Sequence, residues 1–445
     1  MASAPSSAAA ELLARVWREI GGDEARLPSA AAVRALGTVP LPSRTATADL
    51  ALASVLAATI AAGIDPARVD LDRVATAYRS DRHLRVDGAP PPVWAPLSGF
   101  WESADGWIRT HGNYPHHARA LRTALGLDDT VTPEVVARAV KALPTVEAVT
   151  RISRSGGLAV AVRPENRGAD DALRRSPLVD VVVPEEAEAR RRRLQRTTTR
   201  DPSAGAPLDG VRILDLTRVI AGPVCTRTLA LLGADVLRVD PPHLPELPWQ
   251  HLDTGHGKRT TVLHAHAREL RELVESADAI VLGYRPAALE RLGLSPDALV
   301  ERYPGLLVAQ LSAWGTDQPE RAGFDSLVQA ESGIALIEGD GGRPGTLPAQ
   351  ALDHSAGYLL AAALTQLLRR RDGRSVVVRT SLRRVAAELL GMPRTADAPV
   401  LPEVDASAHI ARFDVDGIPL VTAAPAIPGA MFASPHVWGS DAPRW

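Results

Sequence analysis

One cysteine, Cys225, in 445 residues leaves no partner for an internal disulfide and no set of thiolates for a cysteine-ligated metal. That usage fits a reducing compartment, and the expected location is the cytoplasm. An excess of either charge is also missing: 50 Lys and Arg stand against 52 Asp and Glu, a formal net charge of -2. Neither nucleic acid nor an anionic membrane is therefore expected as a partner. The start, MASAPSSAAAELL, lacks a basic segment followed by an apolar block, so no secretory signal is read there. Long apolar spans are absent too, since the uncharged runs that read as buried helices, residues 50–64 and 354–368, fall short of the ~20 residues that cross a bilayer. No GxGxxG fingerprint, Ser-His-Asp arrangement, paired acid set or zinc spacing is visible.

What is present is a globular composition, 45% hydrophobic and 23% charged, in a chain long enough for two or three domains. Residues 1–94 read as a mainly helical region, with apolar residues at helical spacing over 8–20 and 48–62, and they end in the breaker GAPPP. Residues 95–200 read as a small α/β domain and linker. Trp107 to His111 alternates like a strand, 118–125 is helical, TPEVVARAVKAL opens with Thr132 as cap and Pro133 at the first position, and GGLAVAVRP is strand-like. EEAEARRRRLQRTTTR places acids before bases, as a solvated helix and linker would. His111, His116 and His117 invite a metal reading, but near-adjacent histidines in a Pro-containing loop do not easily converge, and no metal is expected. From 201 to 445 strands alternate with helices: VRILDLT, DVLRVD, TTVLHA, AIVLGY, LLVAQLS and VVVRTSL. Apolar strands with helical crossovers predict a parallel sheet covered on both faces.

In such sheets ligands sit beyond the carboxyl ends of the strands. Three loops qualify. TRVIAGP leads through Gly222 and Pro223 into a helix N-terminus, where free amides favour an anion. GHGKRT carries Lys258 and Arg259, and GYRPAALERLG carries the ring of Tyr284 and the guanidiniums of Arg285 and Arg291. A fourth stretch, residues 347–373, sets Asp353 before an almost wholly apolar helix that ends in Arg369, Arg370, Arg371 and Gly373. Alone, Asp353 reads as an N-cap.

Taken in order, LDGVRILDLTRVIAGPVCTRTLALLGADVLRVDPP, GKRT, GYRPAALERLG, YPGLLVAQLSAWG, GFDSLVQAESGI and ALDHSAGYLLAAAL resemble the family III CoA-transferases, the CaiB/BaiF group, over residues 208–382. The resemblance implies an α/β fold with a Rossmann-like parallel-sheet large domain and a smaller α/β domain, in an interlocked homodimer. It implies CoA transfer from an acyl-CoA thioester to a carboxylic acid, with coenzyme A thioester as substrate and no tightly bound cofactor. By the same resemblance Asp353 is the nucleophile, Tyr284 and Arg291 contact CoA, Val219 and Ala221 lie in the loop approaching the nucleotide, and Lys258 and Arg259 are the basic pair near it. An ionised Asp353, favoured by the helix dipole and amides, would form an aspartyl acyl anhydride and then an aspartyl-CoA thioester.

The order of parts departs from that pattern. Pieces that look like the small domain precede VRILDLT, as in a permuted chain, and DPPHLPELPW is brief where the family has a longer segment. Two other readings stand beside transfer: a non-catalytic CoA-thioester binder or partner subunit, and a 2-methylacyl-CoA racemase. Racemization needs a His where GFDSLV has Phe324.

Overall fold

The computed structural model describes residues 8–128, 130–184, 205–370 and 372–445. The acid-then-base stretch expected to be a helix and linker lies outside them. Thirteen strands are formed: β1 (Arg85–Val86), β2 (Gly99–Glu102), β3 (Trp107–Thr110), β4 (Ala159–Ala161), β5 (Asp180–Val182), β6 (Arg212–Leu216), β7 (Asp235–Asp240), β8 (Lys258–Val262), β9 (Ala279–Leu282), β10 (Leu307–Ser312), β11 (Val376–Ser381), β12 (Ile410–Val415) and β13 (Ile418–Ala423).

The large sheet runs in the order β5-β11-β10-β9-β6-β7-β8. Its pairings from β11 to β8 are all parallel, and only the edge strand β5 is antiparallel, against β11. The α/β fold is thus a mostly parallel sheet with helices on both faces. Ile213, Val236, Val281 and Ala309 face one apolar cluster, while Leu214, Leu237, Ile280 and Val308 face another. This alternation is why the strands read as continuous apolar runs in the sequence.

A helix over Ala351–Arg370, the Asp353 helix, fills one of these faces and is buried from Ala351 to Gln366. It packs along the helix Thr47–Ala62, which is itself buried on nearly every side, and along the helix Ala221–Leu231. Close approach is what the glycine at 357 permits: a Cβ there would lie 2.6 Å from the Ala221 carbonyl oxygen and 2.8 Å from Val224 Cβ. Trp17, Leu56, Leu360 and Val378 belong to one cluster, so residues 8–83 share the core of the large sheet. Each buried Leu in it contributes on the order of 1.5–3 kcal/mol.

Strands β2, β3 and β4 form a second sheet, covered by the helices Pro115–Leu125, Pro133–Lys141 and Thr145–Arg154 over their own core of Leu97, Trp101, Ile108, Leu121 and Ile152. The third sheet runs in the order β1-β13-β12. It is a hairpin turning at Asp416 (φ 54°) and Gly417 (φ 80°), the left-handed pair that a tight hairpin requires. Among the described residues no helix is long and apolar enough to cross a membrane.

Candidate active site

Asp353 lies in the first turn of its helix rather than at the cap. The cap is supplied from elsewhere. Asp325, which opens the helix Asp325–Ser332, accepts the Asp353 backbone N–H at 2.9 Å and also takes the Leu352 amide. The sequence reading of Asp353 as its own helix's cap is corrected accordingly. With the amides engaged by Asp325, the Asp353 carboxylate is left buried and without a hydrogen bond among the described residues.

Its protonation differs from expectation for the same reason. Burial, and then the charge of Asp325, push the Asp353 carboxyl well above the ordinary range. Asp325 is pushed up to about 6 by burial, opposed by the amides it accepts and by the Gln329 side chain. An Asp353 held ionised by dipole and amides is therefore not what the structure shows. The neighbouring Asp325 thus adds to burial in disfavouring the ionised form of Asp353.

The loop after β6 faces this pair. Val219 has φ 71°, left-handed geometry that a β-branched residue rarely adopts and that costs on the order of 1–3 kcal/mol. Surrounding bonds hold it there: Val219 N–H donates to Glu246 Oε2 at 2.9 Å, and Arg218 Nη2 donates to the Pro245 carbonyl at 2.8 Å. Glu246 is fully enclosed and also meets Arg238 at 3.1 Å and the Tyr114 hydroxyl at 2.6 Å. Burial works to raise it, but Arg238 and Arg218 outweigh that and hold it at about 2. Gly222 is required one turn further on, since a Cβ there would come within 2.4 Å of Thr217 Cβ.

Asp353, Asp325, Val219 and Ile220 open on a common recess. Its other walls include Trp94, His111 and Tyr114, from the segments flanking β2 and β3, together with Trp249 and Asp81. Phe324 sits at the centre of the ring contacts. His111 stacks on it at 3.9 Å with 18° between planes, and Tyr114 lies 6.0 Å away. Burial pushes His111 down to about 3, so its imidazole is neutral. His116 and His117 lie with ring centroids 4.0 Å apart beside Tyr114. Among the described residues no group of three His, Cys, Asp or Glu side chains is placed to hold a metal ion.

The remaining residues singled out in the sequence scatter around this centre. Ala221 begins the helix behind Ile220 and is buried against the Asp353 helix. Lys258 is not offered to solvent: it is 1% exposed, bonded to Asp215 at 2.9 Å and to the Pro223 carbonyl at 3.0 Å. Burial lowers its ammonium to about 8, against the pull of Asp215. Arg259 forks onto Asp235 at 2.8 and 2.9 Å. Both cations of GKRT are therefore engaged within the protein, because β8 runs beside β7 and brings them against its carboxylates and those of β6. Tyr284 is enclosed, with its hydroxyl lacking a partner, and Arg291 is an exposed cation paired with Glu320. Asp325, Glu246, Trp94 and Tyr114 were missed. Asp325 alone carried a signal, as an acid opening a helix within GFDSLVQAESGI.

An open parallel sheet with a strained loop and a buried carboxylate beyond its strand ends defines the class of a ligand-binding α/β protein with one candidate nucleophile. Comparison with known proteins adds a family match. Residues 208–407 match the model of CoA-transferase family III. A probable fatty acyl-CoA transferase of Mycobacterium tuberculosis is 33% identical over 205 residues, 41% of this chain and 52% of that protein. A succinyl-CoA–D-citramalate CoA-transferase of Chloroflexus aurantiacus is 33% identical over 193 residues, 39% of this chain and 48% of the relative. The chain thus spans about half the length of the curated relatives it matches. A solved CaiB/BaiF family protein from Brucella suis is 22% identical, with 48% of this chain and 65% of that one covered and a TM-score of 0.38.

Proposed function

We propose that the protein moves coenzyme A from an acyl-CoA thioester to a carboxylic acid through covalent intermediates on Asp353. The observation that carries the reading is a carboxylate free of hydrogen bonds, placed in an aromatic-walled recess beside the strained Val219 loop, in a segment that matches the model of a CoA-transferase family. Ionised Asp353 attacks the thioester carbonyl carbon; the C–S bond breaks, CoA thiolate leaves and an acyl aspartyl anhydride remains. The thiolate then attacks the aspartyl carbonyl, breaking the anhydride C–O bond, releasing the first acid and forming an aspartyl-CoA thioester. The incoming carboxylate repeats the sequence in reverse and departs as its thioester, leaving Asp353 as a carboxylate. No proton is consumed overall. The requirement falls on Asp353, which must be ionised before the first attack. A carboxylate desolvated in this way is also the more reactive once ionised.

In this reading Val219 and Ala221 belong to the loop that meets the nucleotide, Tyr284 and Arg291 contact CoA, and Lys258 and Arg259 shape the strand ends beneath it. Residues 95–184 serve as the small domain, placed ahead of the large one, and two copies form the working dimer. Proton transfer at an acyl-CoA α-carbon is a second reading with one observation in its favour: the imidazole that position 324 lacks is present in the recess as His111. At about 3 it is a weak base, and transfer is preferred.

The test incubates the full chain with acyl-CoA donors and free carboxylic acids and follows the second thioester by chromatography. Wild type forms it and Asp353→Asn does not. Equal formation by both removes the covalent role, while deuterium entering the α-carbon without CoA exchange supports the second reading.

A further inference from the structure

Next to His111 of the recess lining, β3 holds a charge that the transfer chemistry leaves unused. Along β3, Ile108 and Thr110 turn into the small sheet's own core, where Thr110 accepts the Trp101 indole N–H, so Arg109 and His111 turn to the other face. Arg109 is only 6% exposed. Its guanidinium meets two rings, 4.9 Å from the centroid of Trp94 and 4.7 Å from that of Phe100. Among the described residues it has no ion pair and no hydrogen bond, and its Nε is buried without a partner. Two residues along the strand, roughly 7 Å, His111 lines the recess with its Nδ1 buried and also without a partner.

A buried cation normally has an anion or several acceptors. Two cation–ring contacts return less than the cost of taking an unpaired charge out of water. Ring contacts do not use the five N–H donors at the edge of a guanidinium, where a carboxylate binds through two oxygens. Trp94 ties this edge to the recess, since it both lines the recess and lies over Arg109, with its ring 6.3 Å from that of His111.

We propose that Arg109, with His111 beside it, is a subsite for a second carboxylate, so that the recess selects dicarboxylic acyl groups and acids over monocarboxylic ones of equal length. The inference rests on reading the recess as the acyl site of Asp353. A phosphate of CoA is the other anion to consider, but it is the whole pantetheine arm away from the sulfur that must meet Asp353, whereas the far end of a short acyl chain is not.

The test uses the full chain and three kinds of measurement. Without ligand, Arg109→Met raises the melting temperature, because the stem is kept and an unpaired buried charge is removed; a clear fall overturns the proposal by showing an internal partner. Succinate and glutarate raise the melting temperature of wild type more than butyrate does, and this difference vanishes in Arg109→Met. By calorimetry on the Asp353→Asn background, succinyl-CoA binds about 10- to 100-fold more tightly than butyryl-CoA. Arg109→Met abolishes the ratio, Arg109→Lys keeps part of it, and free CoA binds equally to all three. Equal binding of the two thioesters by Arg109-containing protein, or no response to either dicarboxylate or thioester, overturns the subsite. A loss of free CoA affinity in Arg109→Met overturns it in favour of a CoA phosphate contact. Selective succinyl-CoA binding by a protein that transfers no CoA upholds the subsite and removes the transferase reading alone.

Discussion

Two buried sets of charges lie close together in this protein and are built on opposite terms. Beneath β6, β7 and β8, cations and anions match: Lys258 meets Asp215 at 2.9 Å, and Arg238 meets Asp240 at 2.8 Å and Glu246 at 3.1 Å. Around the recess they do not. Asp353 has a second carboxylate, Asp325, as the neighbour that shifts it, and Arg109 has no acid at all. The matched set fixes the Val219 loop through Glu246. The mismatched set is destabilising by itself and is held in place by the core that the Asp353 helix shares with the helix Thr47–Ala62. Removing a charge should therefore have opposite consequences in the two places.

The largest effect expected is on turnover. Asp353→Asn lowers CoA transfer by about a thousandfold or more while leaving the melting temperature equal or higher at pH 8, as paired activity and thermal-unfolding assays would show. Next is the matched set: Lys258→Met strands Asp215 and costs about 3–5 kcal/mol in urea unfolding, most of which Lys258→Met combined with Asp215→Leu recovers. A near-neutral Lys258→Met with weakened CoA binding would break the comparison and return Lys258 to the ligand.

The pH dependence sharpens the contrast. Folding raises Asp325 to about 6 and raises Asp353 as well, so the unfolded chain binds fewer protons than the folded one in that window. Stability from this pair is complete below about pH 4 and declines as pH rises through about 6, with a slope of up to about 1.4 kcal/mol per pH unit per group. Unfolding of wild type and Asp353→Asn across pH 4 to 8 should show the variant gaining steadily on wild type. Transfer activity should rise over the same interval. Asp325→Asn keeps an acceptor for the two amides but removes the like charge, and it moves the acid limb of kcat/KM down by about one pH unit. Smallest is Arg291→Ala: the exposed pair with Glu320 is worth at most about 1 kcal/mol, so any marked loss of CoA affinity would identify a ligand contact.

The parallel sheet was legible in the sequence because its strands are apolar on both faces and each is followed by a helix with marked ends. β5 was not, since three residues on an edge carry little pattern. Asp353 could be found from order and composition around it. Its state could not, because the amides that would have kept it ionised go to Asp325, 28 residues earlier, and sequence spacing does not show which of two acids receives them. The recess walls were equally hidden. Trp94, His111 and Tyr114 come to Phe324 only when the small sheet docks, more than 200 residues away along the chain.

The central claim is that Asp353 carries the acyl group. Wild type and Asp353→Asn would be incubated with an acyl-CoA and hydroxylamine and then digested, and the peptide bearing residue 353 examined by mass spectrometry. A hydroxamate at Asp353 in wild type, absent when the thioester is withheld and absent from the variant, is the predicted result. An unmodified Asp353 peptide in protein that is visibly exchanging CoA would contradict it.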